Sequence, residues 1–159
     1  MMTAEQVFTS LKAKFGDAVL EAKLDALQPW ILVVPERMKE VALFLRDDPA
    51  MQFDYLMCLS GMDYNDGKLG VVYHLFSTVH RHKIVLKVQC AKETPHVQSV
   101  SAVWGTANWH EREAYDLLGI IFDEHPDLRR ILLPDDWGGY PLRKDYRVPE
   151  FYNGVKVPY

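Results

Sequence analysis

The stretch EREAYDLLGIIFDEHPDLRRILLPDDWGGYPLRKDY, residues 111–146, decides how this chain folds. Its charged residues fall into three blocks, which are Glu111-Arg112-Glu113, Asp127-Leu128-Arg129-Arg130 and Arg143-Lys144-Asp145-Tyr146. A segment that only filled a core would not need so many charges, because charged side chains are seldom buried without partners. The stretch begins with helical periodicity and then loses it. It therefore predicts a compact domain, residues 1–122, followed by an extended irregular tail, residues 123–159.

A helix is predicted over residues 109–118, at the start of this stretch. Asn108 is a typical N-cap, and Glu111, three residues later, would complete a capping box with it. Gly119 is a typical C-terminal stop. The buried stripe of the helix is expected to contain Ala114, Leu117, Leu118 and Ile121.

The charges of the helix and of the tail are expected to pair. Arg112 can reach Asp116 at i+4 within the helix. The helix does not account for the pair Arg129-Arg130 or for the block from Arg143 onward, and guanidinium groups suit carboxylates because they donate in a rigid fork. We expect an ion-pair network that pins the tail, with some arginines left to contact a neighbouring protein.

The tail combines prolines with many apolar residues. Five of the nine prolines lie between Pro126 and Pro158, and the apolar content is too high for a disordered segment. We expect part of the tail to cover its own domain and part to wrap a partner. Residues 146–159 are then mobile in the isolated chain and ordered in a complex. The alternative is a tail that folds only on its own domain.

The first 122 residues show the order α-β-β-α-β-β-β, followed by the late helix. Thr3 and Gln6 have the spacing of a capping box, and Gly16 is the stop of the first helix. The second helix has an apolar stripe formed by Met38, Val41, Ala42 and Leu45. Strands are expected at residues 19–23, 30–34, 53–60, 69–76 and 84–90. The order predicts an α+β domain of two layers, with a mixed sheet and helices on one of its faces.

Two local expectations concern the middle of the chain. The strand at residues 53–60 is nearly all apolar, which predicts burial on both faces. Thr94-Pro95 is expected to open a helical turn that places Val97, Val100 and Trp104 on one side.

Composition excludes several classes of protein. The 48% hydrophobic and 25% charged content is typical of a globular protein, and a net charge of −4 lacks the basic footprint of nucleic-acid binding. No apolar run approaches the roughly 20 residues that cross a bilayer. The N-terminus lacks the pattern of a secretory signal. We expect a cytosolic chain with two free thiols, Cys58 and Cys90, that meets a membrane only through partners.

The motifs of cofactor chemistry are missing. There is no P-loop, no Gly-x-Gly-x-x-Gly and no Cys-x-x-Cys, so the usual thiolate ligands of an iron–sulfur cluster are lacking. The segment from His110 to Glu113 begins like the zinc-protease motif His-Glu-x-x-His, but Ala114 stands where the second histidine would be.

The charged stretch closely resembles the signature of the 30-kDa, C-type subunit of respiratory complex I, the proton-pumping NADH:quinone oxidoreductase. That signature is Glu-Arg-Glu, an acid, two apolar residues, a histidine, a basic residue and an apolar pair. Every spacing is kept here, at Glu111-Arg112-Glu113, Asp116, Leu117-Leu118, His125, Arg129 and Ile131-Leu132. The segment from Gly139 to Tyr146 resembles the family's tail element, with Tyr140 in place of the more common His.

The resemblance implies a cofactor-free structural subunit of the peripheral arm, with no catalytic, cofactor-binding or metal-binding residues. Its partners would be the 49-kDa-type (D) and the cluster-bearing B-type subunits, which with others hold FMN and iron–sulfur clusters, and quinone would be met only through the complex. It would lie peripherally at the cytoplasmic face of the inner membrane. The expected signature and docking residues are Glu111, Arg112, Glu113, Asp116, His125, Arg129, Arg130, Trp137, Arg143, Lys144, Asp145 and Tyr146.

Other functions remain open at this point. Similar subunits occur in ferredoxin- and deazaflavin-dependent quinone reductases and in membrane-bound hydrogenases. A stand-alone metal enzyme that uses His110, Glu111 and Glu113 is a less favoured alternative, and so is a soluble adaptor that borrows the fold.

Overall fold

The structure is a computed structural model that describes residues 2–157. In this range the helices are α1 (Ala4–Phe15), α2 (Met38–Asp47) and α3 (Ala107–Leu118). The strands are β1 (Val19–Lys23), β2 (Trp30–Val33), β3 (Tyr55–Asp63), β4 (Lys68–Phe76), β5 (Lys83–Ala91), β6 (His96–Gln98), β7 (Ile121–Asp123), β8 (Phe151–Tyr152) and β9 (Val155–Lys156). The part of the predicted tail that falls on Pro158 and Tyr159 lies outside the described residues.

A five-stranded mixed sheet organises the domain. Its strand order is β1-β2-β5-β4-β3, in which β2 and β5 are parallel and the other neighbours are antiparallel. The short strands β6 and β7 form a separate parallel pair, and β8 and β9 form a small hairpin. The predicted fold class, an α+β domain with a mixed sheet, is confirmed.

One face of the sheet carries the hydrophobic core. The cross-strand row Leu59, Tyr73, Leu86 and Ile31 lies on this face, and each of these side chains is at most 3% exposed. The same core cluster contains residues of all three helices, which are Val7, Leu11, Met38, Val41, Ala42, Leu45, Ala107, Ala114 and Leu118. The helices therefore pack on this face, as the sequence predicts.

The first two helices follow their local signals. Thr3 and Gln6 form the predicted reciprocal capping box, and Gly16 is the C-cap of α1. The four stripe residues of α2 are fully buried, which confirms that its periodicity marks the core side.

The prediction for the strand at residues 53–60 was wrong in its bounds and in its burial. The strand runs from Tyr55 to Asp63, and alternate side chains on it are exposed. Tyr55 is 50% exposed, and Met57 and Met62 are each 41% exposed. An apolar sequence does not ensure burial here, because the strand is at an edge of the sheet and has one uncovered face.

The predicted helical turn after Thr94-Pro95 was wrong at its start, although a turn does occur later, where the N–H of Trp104 donates to the carbonyl of Val100 at 3.0 Å, and Val97 packs in the core with both. Residues 96–98 form β6, which pairs in parallel with β7. Apolar spacing alone cannot distinguish a short strand from a helical turn, and here pairing with a distant segment determines the conformation.

Helix α3 packs directly on β3 because Gly61 has no side chain. A Cβ atom at this position would lie 2.5 Å from Cδ1 of Leu118 and 3.3 Å from Cβ of Ala114. Beyond β7 the structure contains turns and the β8–β9 hairpin up to residue 157. Within residues 2–157, no helix has both the length and the apolar character needed to cross a membrane.

We predict that Gly61→Ala lowers the free energy of unfolding by about 1–3 kcal/mol, because the added methyl group overpacks the contact between β3 and α3. Gly105→Ala is the matched control, since a Cβ atom there meets nothing within 4 Å. Urea unfolding of both variants measures the difference. Equal stability of the two variants would show that α3 can shift to accommodate the methyl group.

Candidate functional site

The carboxylate of Asp116 anchors the beginning of the tail to α3. It is fully buried and accepts hydrogen bonds from the backbone N–H groups of Ile131 at 3.0 Å, Leu132 at 2.6 Å and Leu133 at 3.0 Å. Nη1 of Arg130 donates to the other carboxylate oxygen at 2.9 Å. Four donors from the tail therefore converge on one side chain of the helix.

These donors also set the protonation state of Asp116. Burial alone would raise the pKa of the carboxyl group, but the N–H groups of Leu132 and Leu133, the guanidinium of Arg130 and the N–H of Ile131 outweigh it. The pKa of Asp116 is consequently below its ordinary value. The anchor is an ionised carboxylate at neutral pH.

Arg130 extends this anchor further along the tail. Its Nη1 also donates to the backbone carbonyl of Asp116 at 2.9 Å. Its Nη2 donates to the carbonyl groups of Trp137 at 3.2 Å and Gly139 at 3.1 Å. The guanidinium lies 5.3 Å from the centre of the Tyr140 ring. One largely buried side chain thus holds the tail in a loop against the end of α3.

A second anchor lies at the C-terminus of α3. Gly119 ends the helix in the left-handed conformation, as predicted, with φ of 71°. Nε of Arg143 donates to the carbonyl of Leu118 at 2.6 Å, and the N–H of Leu142 donates to the carbonyl of Leu117 at 3.0 Å. The tail therefore supplies donors to carbonyl groups that a helix end leaves without intrahelical partners.

A third anchor joins the tail to the sheet. The Asp63 carboxylate at the end of β3 accepts a hydrogen bond from the N–H of Lys144 at 2.8 Å and pairs with Nζ of Lys92 at 3.1 Å. Lys92 also pairs with Asp145 at 2.9 Å. Burial raises the pKa of Asp63, and hydrogen bonds from Lys144, Asn65 and Lys92 more than compensate, so that its pKa is below the ordinary value.

Aromatic residues connect the later parts of the tail to each other. Nε1 of Trp137 donates to the hydroxyl of Tyr146 at 3.1 Å. The rings of Trp137 and Tyr152 lie 5.0 Å apart, and the Tyr152 hydroxyl donates to Asp136 at 2.9 Å. The tail up to the β8–β9 hairpin is thus ordered by contacts within itself as well as with α3.

Glu111 has a different role from the predicted one. Helix α3 begins at Ala107, so Glu111 lies inside it and completes no capping box with Asn108. Its fully buried carboxylate accepts hydrogen bonds from Oγ of Ser99 at 2.6 Å and from the N–H of Val100 at 2.7 Å. Burial raises its pKa to about 7, although both hydrogen bonds act in the opposite direction.

His125 lies beside Glu111 as a neutral imidazole. Its Nδ1 accepts a hydrogen bond from the N–H of Asp127 at 3.0 Å, which leaves Nε2 to donate to the carbonyl of Asn108 at 3.2 Å. Burial lowers the pKa of His125. Its Nε2 is 3.9 Å from the Glu111 carboxylate. The start of the tail therefore contacts α3 through His125 and Glu111, and burial disfavours the charged form of both side chains.

Of the remaining charged residues of α3 and the start of the tail, Arg112 is buried and binds the tail backbone, whereas Arg129 and Glu113 face solvent. Nε of Arg112 donates to the carbonyl of Arg129 at 3.3 Å, and its guanidinium lies 4.8 Å from the centre of the Trp109 ring. The predicted pairing of Arg112 with Asp116 was wrong, because Arg130 and the tail backbone occupy that carboxylate. Arg129 is exposed and pairs with Asp127, and Glu113 is exposed.

The structure therefore brings the tail residues and the acidic residues of α3 together. The individual pairs differ from those that the sequence predicts. Asp63, Lys92, Ser99 and Val100 were missed as parts of the site, since they carry no local signal and lie far from the tail in sequence. The proposed enzyme constellation is not assembled, because Glu111 faces Ser99 whereas His110 and Glu113 line a groove beside β3. Residues 2–157 contain no group of three His, Cys, Asp or Glu side chains that could hold a metal.

We predict that Asp116→Asn lowers the free energy of unfolding by about 2–4 kcal/mol, because it leaves the buried guanidinium of Arg130 without its counterion. Amide hydrogen exchange at Ile131, Leu132 and Leu133 should accelerate as well. Asp127→Asn is the control, since it removes only an exposed ion pair with Arg129. Unchanged exchange in Asp116→Asn would show that the tail does not depend on this anchor.

A second prediction concerns the pH dependence of Glu111. A rise of its pKa from 4.5 to about 7 on folding means that the folded state holds the proton more tightly. Stability should therefore be highest below about pH 4.5 and fall as the pH rises to about 7, by at most about 3 kcal/mol. Glu111→Gln removes this dependence. Because wild type and variant both contain His125, the difference between their pH profiles reports Glu111. Parallel pH profiles of wild type and variant, measured by urea unfolding, would contradict the prediction.

Comparison with known proteins gives an independent view of the chain. Residues 31–152 match the family model described as respiratory-chain NADH dehydrogenase, 30 Kd subunit. A protein of Chloroherpeton thalassium, named as the C subunit of NADH-quinone oxidoreductase, is 53% identical, over 98% of this chain and 65% of its own length. A protein of Chlorobium phaeobacteroides with the same name is 49% identical, over 94% of this chain and 92% of its own length.

Solved structures agree with the sequence comparisons. A trypsin-resistant fragment of Nqo5 is 32% identical and superposes with a TM-score of 0.65, over 80% of this chain and 100% of the fragment. A chain of the archaeal membrane-bound sulfane sulfur reductase superposes with a TM-score of 0.73, over 90% of this chain and 85% of its own length, at 19% identity that supports the fold alone. With the family match and the close relatives, these likenesses show that the chain belongs to the family of the 30-kDa subunit of respiratory-chain NADH dehydrogenase.

Proposed function

We propose that the chain is a cofactor-free structural subunit of the peripheral arm of a proton-translocating NADH:quinone oxidoreductase. In this role it docks the 49-kDa-type (D) subunit near the quinone-reducing end. The names of the relatives support the enzyme, and the tail supports the docking. The docking role is inferred from one feature of the tail. Buried charges anchor its base to the domain, while its outer side exposes apolar side chains.

The outer side of the tail is the proposed docking surface. Its exposed apolar side chains are Leu132, Leu142, Val148, Phe151 and Val155, all more than half exposed. A concentration of exposed apolar side chains on one segment favours an interaction site. Because the base of the tail is fixed to α3, the backbone that carries these side chains is already ordered before a partner binds. Less conformational entropy is then lost on binding.

The signature residues divide into three groups on this proposal, and Arg112, which is buried and binds the carbonyl of Arg129, belongs to the first of them. Asp116, Arg130, Glu111 and His125 are engaged inside the chain and hold the tail. Glu113, Arg129, Lys144 and Asp145 have side chains that reach solvent and can contact the partner. Trp137, Arg143 and Tyr146 shape the tail between the anchors.

We infer that residues 1–122 form the compact domain and residues 123–159 the docking tail. The three anchors are compatible with this division, since each joins a side chain or helix end of the first part to the second. The related Nqo5 structure is of a trypsin-resistant fragment, which fits a protein with a protease-resistant domain and a more accessible remainder.

The proposal places redox chemistry in other subunits. FMN and iron–sulfur clusters would lie in partners, the B-type cluster subunit would be a neighbour, and quinone would be reached only through the complex. The chain would sit peripherally at the cytoplasmic face of the inner membrane. The names of the relatives favour NADH as donor. A ferredoxin- or deazaflavin-dependent reductase or a membrane-bound hydrogenase is the alternative, and the shared fold does not discriminate between them.

We predict that Arg143→Ala lowers incorporation into the complex by about tenfold but the melting temperature of the isolated chain by less than about 4 °C. The variant loses two contacts that hold the tail, the hydrogen bond to the Leu118 carbonyl and the contact with the Tyr140 ring. The melting temperature changes little because the hydrophobic core stays intact. Cells that lack the chain are complemented with wild type or variant. NADH:quinone activity of their membranes and co-purification of the chain are then measured.

Arg37→Ala is the matched control, because Arg37 forms an exposed pair with Glu40 and, among the described residues, no hydrogen bond or ion pair with the tail. It should assemble normally. If wild type does not co-purify with the oxidoreductase, the proposed function is wrong. A large loss of domain stability in Arg143→Ala with normal assembly would show that the tail serves only its own fold.

A further inference from the structure

Strand β3 forms an open edge of the five-stranded sheet. It is nine residues long, and from Cys58 to Asp63 it pairs residue by residue with β4. In the described part of the chain, no other strand pairs with it, and no other backbone–backbone hydrogen bond reaches residues 55–62. An antiparallel strand directs alternate backbone groups away from its neighbour. These outward N–H and C=O groups are a template for another strand.

From Cys58 to Asp63 the edge lacks the usual protection against such pairing, since the bulge of β3 lies before this part, between Leu56 and Cys58. Natural edge strands are blunted by charges, bulges or short length. At the opposite edge of the sheet, β1 has five residues, carries Glu21 and Lys23, and has one of its carbonyl groups, that of Val19, bound by Lys12 at 2.7 Å. In β3 the one charged residue is Asp63, and its carboxylate is buried against Lys92.

A groove runs beside this edge, between β3 and α3. Its volume is about 200 Å³, and its sheet side is formed by residues of β3 alone. Its apolar walls include Gly61, Leu117 and Leu142. The groove therefore lies where a sixth strand would place side chains against α3.

Two polar residues of α3, His110 and Glu113, line this groove. Nδ1 of His110 is buried and makes no hydrogen bond in the described residues. Glu113 is exposed and has no ion pair within 4 Å among those residues. The occupant of the groove should therefore supply a positive charge near the exposed carboxylate of Glu113.

We propose that residues 58–62 of β3 accept an extended segment of another subunit as a sixth strand of the sheet. This segment places an apolar side chain in the groove and a basic side chain beside Glu113. The inference rests on the proposed function, since it requires a neighbouring subunit. Backbone hydrogen bonds supply affinity in this mode of binding, and the side-chain pocket supplies specificity.

A second copy of this chain does not fit the edge. Two β3 strands paired about a two-fold axis would place both α3 helices on the same face of the joined sheet. Paired strands lie about 4.8 Å apart, whereas packed helices need about 8–10 Å between their axes. The two Glu113 carboxylates would also approach each other, and like charges at this position repel.

Hydrogen exchange of the isolated chain and of the intact complex tests the proposal. Alternate amides in residues 58–62, those directed away from β4, should exchange at least about a hundredfold more slowly in the complex. Their neighbours, already bonded to β4, should change little. Outward amides that exchange equally fast in both states overturn the proposal, and so does a uniform slowing without alternation, because it indicates a cover other than a strand.

Charge reversal supplies a second test. Glu113→Lys should lower incorporation into the complex at least about tenfold. Glu21→Lys, the same exposed charge change at the opposite edge, should leave it unchanged. Equal incorporation of both variants overturns the proposal. A wild-type chain that does not join the complex at all counts against the proposed function, whereas a wild-type chain that joins with β3 unprotected counts against the added strand alone.

Discussion

The position of the tail depends on one buried carboxylate. Asp116 lies on the last turns of α3, where three consecutive backbone N–H groups and one guanidinium meet it. An ionised group without solvent is tolerated only when such donors surround it. The donors can converge only if residues 130–133 turn tightly around the carboxylate. The charge therefore dictates a backbone conformation that no regular periodicity specifies.

Side chains bind part of the polar backbone of the irregular tail, since Asp116 accepts from the N–H groups of residues 131–133 and Arg130 donates to the carbonyls of Trp137 and Gly139. Arg130 and Arg143 also bind the α3 carbonyls of Asp116 and Leu118. Guanidinium groups suit this task because their donors are fixed in a planar fork. Because its polar groups are bound on the inner side, the segment can carry apolar side chains on its outer side. A loop without such internal contacts would not hold so many apolar side chains exposed to solvent.

The sequence predicts those parts of the molecule whose signals are local. The capping box at Thr3, the stripe of α2 and the stop at Gly119 all lie where expected, because neighbouring residues determine them. Glu111 did not follow its local signal, since Ser99 and Val100 offer its carboxylate buried donors. The contact of Asp63 with Lys144 joins residues 81 apart, and no spacing along the chain indicates it. The signature pointed to the charged residues of α3 and the tail, whereas their pairing, such as that of Asp116 with Arg130, required the three-dimensional arrangement.

The anchors also bring the tail next to the open edge of the sheet. Asp63, the last residue of β3, binds the backbone of Lys144, and Leu142 forms a wall of the groove beside the same strand. Any partner that covers the outer side of the tail at Leu142 therefore lies within a few residues of the unpaired edge. A single neighbouring surface can engage both features, so a change that loosens the tail should weaken the binding at the edge as well. This coupling gives a physical reason for charged anchors at the base of the tail, because they fix the relative position of the two proposed binding surfaces, which are far apart in sequence.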